Sequence, residues 1–174
     1  LAPHFADKEG NLIMSVHALV VETPTRKMIV DTCIGNDKQR SVPNLTNLQL
    51  PFLEDLSKAG YETHEIDTVM CTHLHVDHVG WNTMLVDGKW IPTFPNARYL
   101  MGRTEYEYWD KAEADKPESD KAPDELNQGV MGDSVRPVFD AGLVDLVEMN
   151  HSVCDEVFLE PTTGHTPGHV SIHI

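Results

Sequence analysis

Cysteine is scarce in this sequence. Only three of the 174 residues are cysteines, at Cys33, Cys71 and Cys154. Because the number is odd and the spacing is wide, the pattern indicates neither a disulfide framework nor a zinc site of the CxxC type. We expect free and mostly buried thiols, which fit a reducing compartment such as the cytoplasm.

Long apolar runs and basic residues are also in short supply. No stretch reaches the ~18 consecutive apolar residues that a membrane span needs. Lysine and arginine number 13 against 28 acidic residues, which gives a formal net charge of −15. Nucleic acids and anionic membranes are bound by basic surfaces, so this charge argues against both as partners. We expect a small-molecule substrate as the partner.

The rest of the composition is that of an ordinary folded protein. Hydrophobic residues make up 40% and charged residues 24% of the sequence, a balance that argues against disorder. A chain of 174 residues is long enough for one substantial core and too short for two ordinary domains. We therefore expect a single domain over residues 1–174.

Apolar segments and turn residues predict the secondary structure of the first half. Residues 12–22 form a long apolar run and predict a strand, and residues 28–30 predict a returning strand after a turn at Thr23–Arg26. Residues 51–60 predict a helix, with proline in its first turn and glycine at its end. Residues 66–72 predict a buried strand. A strand, a helix and a further strand indicate an α/β fold.

Further elements follow along the chain. The Asp87-Gly88 turn signal predicts a hairpin between residues 84–86 and 89–91. Another strand is predicted at residues 97–101, followed by a helix from Arg103 to Trp109. Residues 110–125 are charged and contain two prolines, which predicts a solvated loop or, alternatively, a flap over an active site.

The strongest chemical signal lies just after the buried strand. His73, His75, Asp77 and His78 are four potential metal ligands within six positions. Neutral imidazole is the commonest metal ligand, and a carboxylate among imidazoles, without a thiolate, suits a hard or borderline divalent ion. The alternative is a polar loop that is rich in histidine and has no metal role. The density of ligand types favours a metal site.

The spacing of these residues indicates which of them could bind the same ion. Side chains alternate along an extended chain, so His73 and His75 project to the same side if the strand conformation persists. Asp77 keeps that alternation and His78 breaks it. A turn at this point would let His73 and His75 hold one ion while Asp77 and His78 reach a second.

Three motifs carry a resemblance to a known family. The first is the H-x-H-x-D-H sequence at residues 73–78, the second is Gly-His-Thr-Pro-Gly-His at residues 164–169, and the third is Ile-Val-Asp-Thr at residues 29–32. Together they resemble the metallo-β-lactamase superfamily, in the form seen in lactonase-like and glyoxalase-II-like members. They stand in the family's order and span residues 29–174. The resemblance implies the αββα sandwich of that family, which is an α/β fold.

The resemblance also implies a role for each site residue. His165 would complete a three-histidine metal site with His73 and His75. Asp77 and His78 would bind a second ion, and Asp77 is the candidate catalytic residue that orients water or shuttles a proton. The family's aspartate at the position of Asp31 lies beneath the metals and orients ligands. The position of His169 is usually structural.

These roles imply a metal-dependent hydrolase. Metal-bound hydroxide would attack a lactone or an ester-like bond, with zinc as the expected metal, two ions in the full family site, and manganese or iron as options. Three alternatives remain open from the sequence. They are a phosphotriester hydrolase, an iron-dependent oxidoreductase of the same fold, and a catalytically incompetent fragment.

The sequence departs from the family pattern at both ends. The family places a bridging aspartate and a last histidine after the second motif, and neither can be located before Ile174. The first strands of the sandwich also have no counterpart after Leu1. We therefore expect an incomplete sandwich that binds at most one metal firmly as an isolated chain. An exposed sheet edge would favour pairing with another chain, so a homo-oligomer is a further expectation.

Overall fold

Strands and short helices alternate through the part of the chain described by this computed structural model, which is residues 3–114, 127 and 129–174. The strands are β1 (Leu19–Glu22), β2 (Lys27–Val30), β3 (Thr68–Cys71), β4 (Thr83–Val86), β5 (Lys89–Pro92), β6 (Arg98–Gly102), β7 (Val144–Val147), β8 (Phe158–Pro161) and β9 (Val170–His173). The helices are α1 (Phe52–Lys58), α2 (Arg103–Ala114) and α3 (Arg136–Asp140). A π-helical turn at Met131–Val135 runs directly into α3.

A five-stranded sheet organises the fold, with the strand order β1-β2-β3-β6-β7. β1 and β2 form an antiparallel hairpin, whereas β2, β3, β6 and β7 are parallel to one another. Parallel neighbours need a crossover connection, and α1 and α2 lie in two of these connections. The hairpins β4–β5 and β8–β9 form two separate small sheets. The expected mixed α/β fold is therefore confirmed.

Alternate residues of the sheet face two different cores, because side chains alternate along a strand. One core contains side chains from the sheet together with all three helices: Ile29, Val69, Tyr99, Met101, Leu56, Trp109 and Val138. The other core contains the opposite side chains of the same strands together with β8 and β9: Met28, Val30, Met70, Leu100, Leu159 and Val170. The sheet thus has helices on one face and a second, small sheet on the other.

The predicted strand at residues 12–22 is wrong in its length. Only Leu19–Glu22 form β1, and Leu12 makes just an isolated bridge to Ala6. Leu19 pairs with Val30, the last residue of β2, and the chain then leaves the ladder at Asp31, which has a φ of 56°. Among the described residues, β2 therefore offers no further pairing position to the residues before Leu19.

The other predicted elements agree more closely with the structure. The hairpin around Asp87-Gly88 is confirmed as β4–β5. The helix after β6 is longer than predicted and continues to Ala114, and Asp110 and Glu113 in its last two turns form ion pairs with Arg136 at 3.0 Å and 2.8 Å. The first residues of the predicted loop are thus helical, and residues 115–125 lie outside the described residues.

Candidate metal centre

The candidate site lies where the parallel strands end. Asp31 directly follows β2, and Thr72 and His73 directly follow β3. The carboxyl ends of parallel strands meet at one edge of a sheet, which is where open α/β sheets place their ligand sites. The second motif reaches the same edge because the backbone N–H of Val170 donates to the carbonyl of Thr72 at 3.1 Å.

Three imidazoles converge at this edge. His73, His75 and His165 each offer one ring nitrogen, and these nitrogens all lie within 4.8 Å of one another. Nδ1 of His75 is 3.0 Å from Nε2 of His165. The ring centroid of His73 is 4.7 Å from that of His75 and 4.9 Å from that of His165. Two distant stretches of sequence therefore bring their histidines to one point.

A chain of hydrogen bonds fixes the tautomer of His73. Oγ1 of Thr72 lies 2.9 Å from Oδ2 of Asp31, and an ionised carboxylate only accepts, so the hydroxyl donates to it. The same oxygen lies 3.0 Å from Nδ1 of His73 and accepts a hydrogen bond from it. The proton on Nδ1 leaves the lone pair of His73 on Nε2.

Nε2 of His73 is the atom that a cation would satisfy. His73 is 2% exposed, and its Nε2 is buried without a hydrogen-bond partner among the described residues. Burial, reinforced by the neighbouring histidines, lowers the pKa of His73 to about 2, so the ring is neutral and able to act as a ligand. A buried nitrogen without a partner is costly, whereas a divalent ion would bind it. The three residues fit a metal.

Asp77 and His78 form a separate pair beside the three histidines. Nδ1 of His78 donates to Oδ2 of Asp31 at 2.7 Å, and its Nε2 lies 3.4 Å from Oδ2 of Asp77. Burial lowers the pKa of His78, but the hydrogen bonds to the two carboxylates outweigh it and raise the pKa to about 9. The hydrogen bond from His78 lowers the pKa of Asp77. Within the described part of the chain, this pair joins no group of three ligand atoms.

Asp31 connects the two halves of the site. Besides His78, its carboxylate accepts from the backbone N–H of Thr72 at 2.8 Å and from the Thr72 hydroxyl. These contacts support the prediction that Asp31 orients ligands, which stays a proposal.

Comparison with known proteins gives the family. The sequence profile of the metallo-beta-lactamase superfamily matches residues 13–174. The chain belongs to the metallo-beta-lactamase superfamily. No curated protein is significantly similar to it.

Solved structures of the metallo-beta-lactamase superfamily share the fold. The hydrolase AbOPH is 24% identical with a TM-score of 0.73, and the match covers 97% of this chain and 54% of that one. AidC, described as a dizinc quorum-quenching lactonase, is 24% identical with a TM-score of 0.63, over 89% and 50% of the two chains. A quorum-quenching N-acyl homoserine lactone lactonase is 25% identical with a TM-score of 0.57, over 88% and 52%. The chain thus spans about half the length of these hydrolases.

Two residues in or just after the metallo-beta-lactamase motifs make contacts with other parts of the chain. Nδ1 of His169 lies 2.8 Å from Oγ1 of Thr162, and His169 is outside the three-histidine group. Gly80, two residues after His78, packs against the backbone of Ile34. A Cβ atom at Gly80 would lie 1.8 Å from the Ile34 carbonyl oxygen. Gly80 therefore holds the loop after His78 against the loop after Asp31.

Sequence reasoning missed one buried carboxylate near the site. Glu105, in the first turn of α2, is 1% exposed and accepts a hydrogen bond from the backbone N–H of Leu74 at 3.1 Å. A glutamate in the first turn of a helix is common, so the sequence offered no signal for it. Its burial becomes visible only when the two metal motifs are packed against the helix.

Proposed function

We propose that this protein is a metal-dependent hydrolase that opens a lactone or an ester-like bond, with one divalent ion held by His73, His75 and His165. The observation that carries the proposal is the buried Nε2 of His73, which has no hydrogen-bond partner among the described residues and lies beside the nitrogens of the other two histidines. Superfamily membership and hydrolase neighbours support the same reading.

The residues of the chain would prepare this site for hydrolysis. A divalent ion bound there would lower the pKa of a water molecule and polarise a carbonyl oxygen. Thr72 and Asp31 hold His73 in the tautomer that a ligand needs. The carboxylate of Asp77 is partly exposed, and its lowered pKa keeps it ionised at neutral pH. Asp77 can therefore accept a proton from water and is the proposed catalytic residue.

Asp77 and His78 are the proposed ligands of a second ion. Donation from Nδ1 of His78 to Asp31 leaves the other ring nitrogen directed at Asp77. A divalent ion would have to displace the proton from Nε2 of His78, and the resulting imidazole and carboxylate are a donor pair that suits zinc, with manganese or iron as the alternatives. Zinc is the metal that we propose, bound firmly by the three histidines and at most weakly by this pair in an isolated chain.

A cavity beside this pair supports a small substrate with an apolar part. Its volume is about 320 Å³, and its wall combines Asp77, His78 and Asp31 with apolar side chains that include Met14 and Leu19. Lactones and esters with an alkyl or acyl group have a polar part and an apolar part, and such a wall can bind both. AidC, a lactonase in complex with N-hexnoyl-L-homoserine, is a neighbour whose ligand has this character.

Histidine variants test the proposal. The wild-type protein, His75→Ala and His165→Ala would be purified and compared for bound metal and for turnover of lactones, aryl esters and phosphotriesters. We expect both variants to lose most bound metal and at least 100-fold in turnover, because each removes a ligand atom. His64→Ala is the matched control, since His64 is exposed and lies outside the site. It should retain the metal and the activity.

Two results would contradict the proposal. Full metal content and turnover in His165→Ala would show that the second motif does not contribute to the site. Iron in the protein together with oxygen consumption, and no turnover of any ester or lactone, would favour oxidoreduction instead.

A further inference from the structure

Glu105 is a buried carboxylate that the proposed hydrolysis does not use. Its side chain lies at the start of α2 and is almost completely inaccessible. Among the described residues, no lysine or arginine forms an ion pair with it. Its oxygens instead accept three N–H donors: Leu74 at 3.1 Å and the indole of Trp109 at 2.8 Å on Oε1, and Gly168 at 2.9 Å on Oε2.

Two of these donors belong to the two metal motifs. Leu74 lies between His73 and His75, and Gly168 lies three residues after His165. One carboxylate therefore bonds both loops, one through each oxygen. Leu74 is held on its other side as well, because the side-chain amide of Asn127 donates to its carbonyl at 3.0 Å.

The third donor links the carboxylate to a histidine. Trp109 lies one turn after Glu105 on α2 and is buried. Its ring packs edge-on against the ring of His75, with 5.4 Å between the centroids. The bond from Trp109 to Glu105 thus sets the position of a ring that contacts His75.

Gly168 shows how closely the second loop approaches the helix. A Cβ atom at Gly168 would lie 2.3 Å from the backbone nitrogen of Glu105 and 2.6 Å from its Cα. Only glycine permits this contact, which brings the N–H of Gly168 within hydrogen-bonding distance of the carboxylate. Glycine at position 168 therefore allows the second motif to pack against the start of α2.

We propose that Glu105 is a positioning residue of the metal centre: its carboxylate sets the separation of the His73–His75 loop from the His165 loop. The inference rests on the proposed three-histidine site. Glu105 lies outside the three-histidine group, and both of its oxygens accept hydrogen bonds from N–H donors. Charged acceptors form the stronger hydrogen bonds, and ligands must be held within about 0.5 Å of the productive geometry.

The test is Glu105→Gln, which keeps the size of the side chain but replaces one acceptor oxygen by an NH₂ group. That group would face an N–H donor, so residue 105 would lose its hydrogen bond to one loop or the other. With Co²⁺ as the probe, we expect the affinity to fall about 10–100-fold, the range typical of lost outer hydrogen bonds to metal ligands. At saturating Co²⁺, the visible absorption bands should change in position or intensity.

Glu107→Gln is the matched control. It makes the same change in charge on the same helix, but Glu107 is exposed. It should leave the cobalt affinity and the spectrum unchanged. Circular dichroism of each variant would show that the comparison is made between folded proteins. If Glu105→Gln does not fold, Glu105→Asp is measured instead, since its shorter side chain cannot reach both loops and should change the cobalt spectrum in the same way.

The inference and the proposed function fail in different ways. A wild-type protein whose Co²⁺ is lost in His75→Ala but is bound unchanged in folded Glu105→Gln, with an unchanged spectrum, would overturn the positioning role alone. A wild-type protein that binds no Co²⁺, or binds it equally well in His75→Ala, would overturn the metal site itself.

Discussion

The carboxylate of Asp31 sets the state of two histidines without joining the three-histidine group. It accepts hydrogen bonds from the Thr72 hydroxyl and from Nδ1 of His78. The Thr72 hydroxyl in turn accepts a hydrogen bond from Nδ1 of His73. Both rings are therefore held with a proton on Nδ1 and with Nε2 directed into the site. The orientation of both rings depends on the carboxylate oxygens of Asp31, so replacing one of these oxygens should disturb it.

Asp31→Asn makes that exchange. An amide NH₂ would face either the donor on His78 or the donors on Thr72, so at least one hydrogen bond is lost. We expect the affinity for Zn²⁺ to fall about 10–100-fold, measured by competition with a chelator. Asp37→Asn, an exposed site six residues later, is the control and should bind like the wild type. Equal affinities for the two variants would contradict the role of Asp31.

Lys38 is a second residue whose protonation depends on its surroundings in the folded protein. Its side chain is 0% exposed, and its ammonium donates to Oγ1 of Thr83 at 2.6 Å and to the carbonyl of Asp133 at 2.9 Å. Burial lowers its pKa to about 7, although the Asp133 carboxylate opposes this shift. Between pH 7 and pH 9 the unfolded chain keeps the proton that the folded protein has released. The contribution of Lys38 to stability therefore rises with pH in this window.

Lys38→Met removes this dependence. We expect the free energy of unfolding of the wild type, minus that of the variant, to rise by up to about 1.4 kcal/mol per pH unit between pH 7 and pH 9. The difference is the quantity to measure, by urea unfolding, because His78 titrates in the opposite sense in both proteins. A difference that stays constant or falls with pH would mean that Lys38 remains charged when buried.

At the scale of elements, the sequence predicts local patterns and misses features that depend on residues distant in sequence. The strand before His73 and the motif after it are local patterns, and both lie where they were expected. The strand at residues 12–22 was overestimated because an apolar run does not show whether a neighbouring strand exists to pair with it. Glu105 was missed for a related reason, since its burial depends on Leu74 and Gly168, which are distant in sequence.

Gly80 joins two loops that the site needs in fixed positions. Its N–H donates to the carbonyl of Cys33 at 2.7 Å, and the N–H of Trp81 donates to the carbonyl of Thr32 at 2.8 Å. A Cβ atom at Gly80 would collide with the Ile34 backbone. The loop after Asp31 is therefore bonded directly to the loop after His78.

Gly80→Ala should be strongly destabilising, because the added methyl group can be accommodated only if the backbone moves. We expect a loss of about 3 kcal/mol in the free energy of unfolding, the upper end of ordinary overpacking costs. Gly132→Ala serves as the control, since a Cβ atom there meets nothing within 4 Å. Chemical denaturation compares the two. Similar stabilities would show that the two loops can separate without cost.

At the scale of the whole molecule, a chain with a net charge of −15 brings three of its ten histidines together at one edge of a parallel sheet. A bound divalent ion would offset part of that charge locally. In the described residues, no helix has the length and apolar character needed to cross a membrane. The single domain over residues 1–174, the homo-oligomer and the cytoplasmic location stay predictions from the sequence.

The most direct test of the account is to locate the metal. Crystals of the zinc-loaded protein, measured at the zinc absorption edge, would show each ion as a peak of anomalous scattering. The account predicts a peak about 2.0–2.1 Å from Nε2 of His73, Nδ1 of His75 and Nε2 of His165. Zinc bound elsewhere on the protein, with no peak between these three rings, would contradict it.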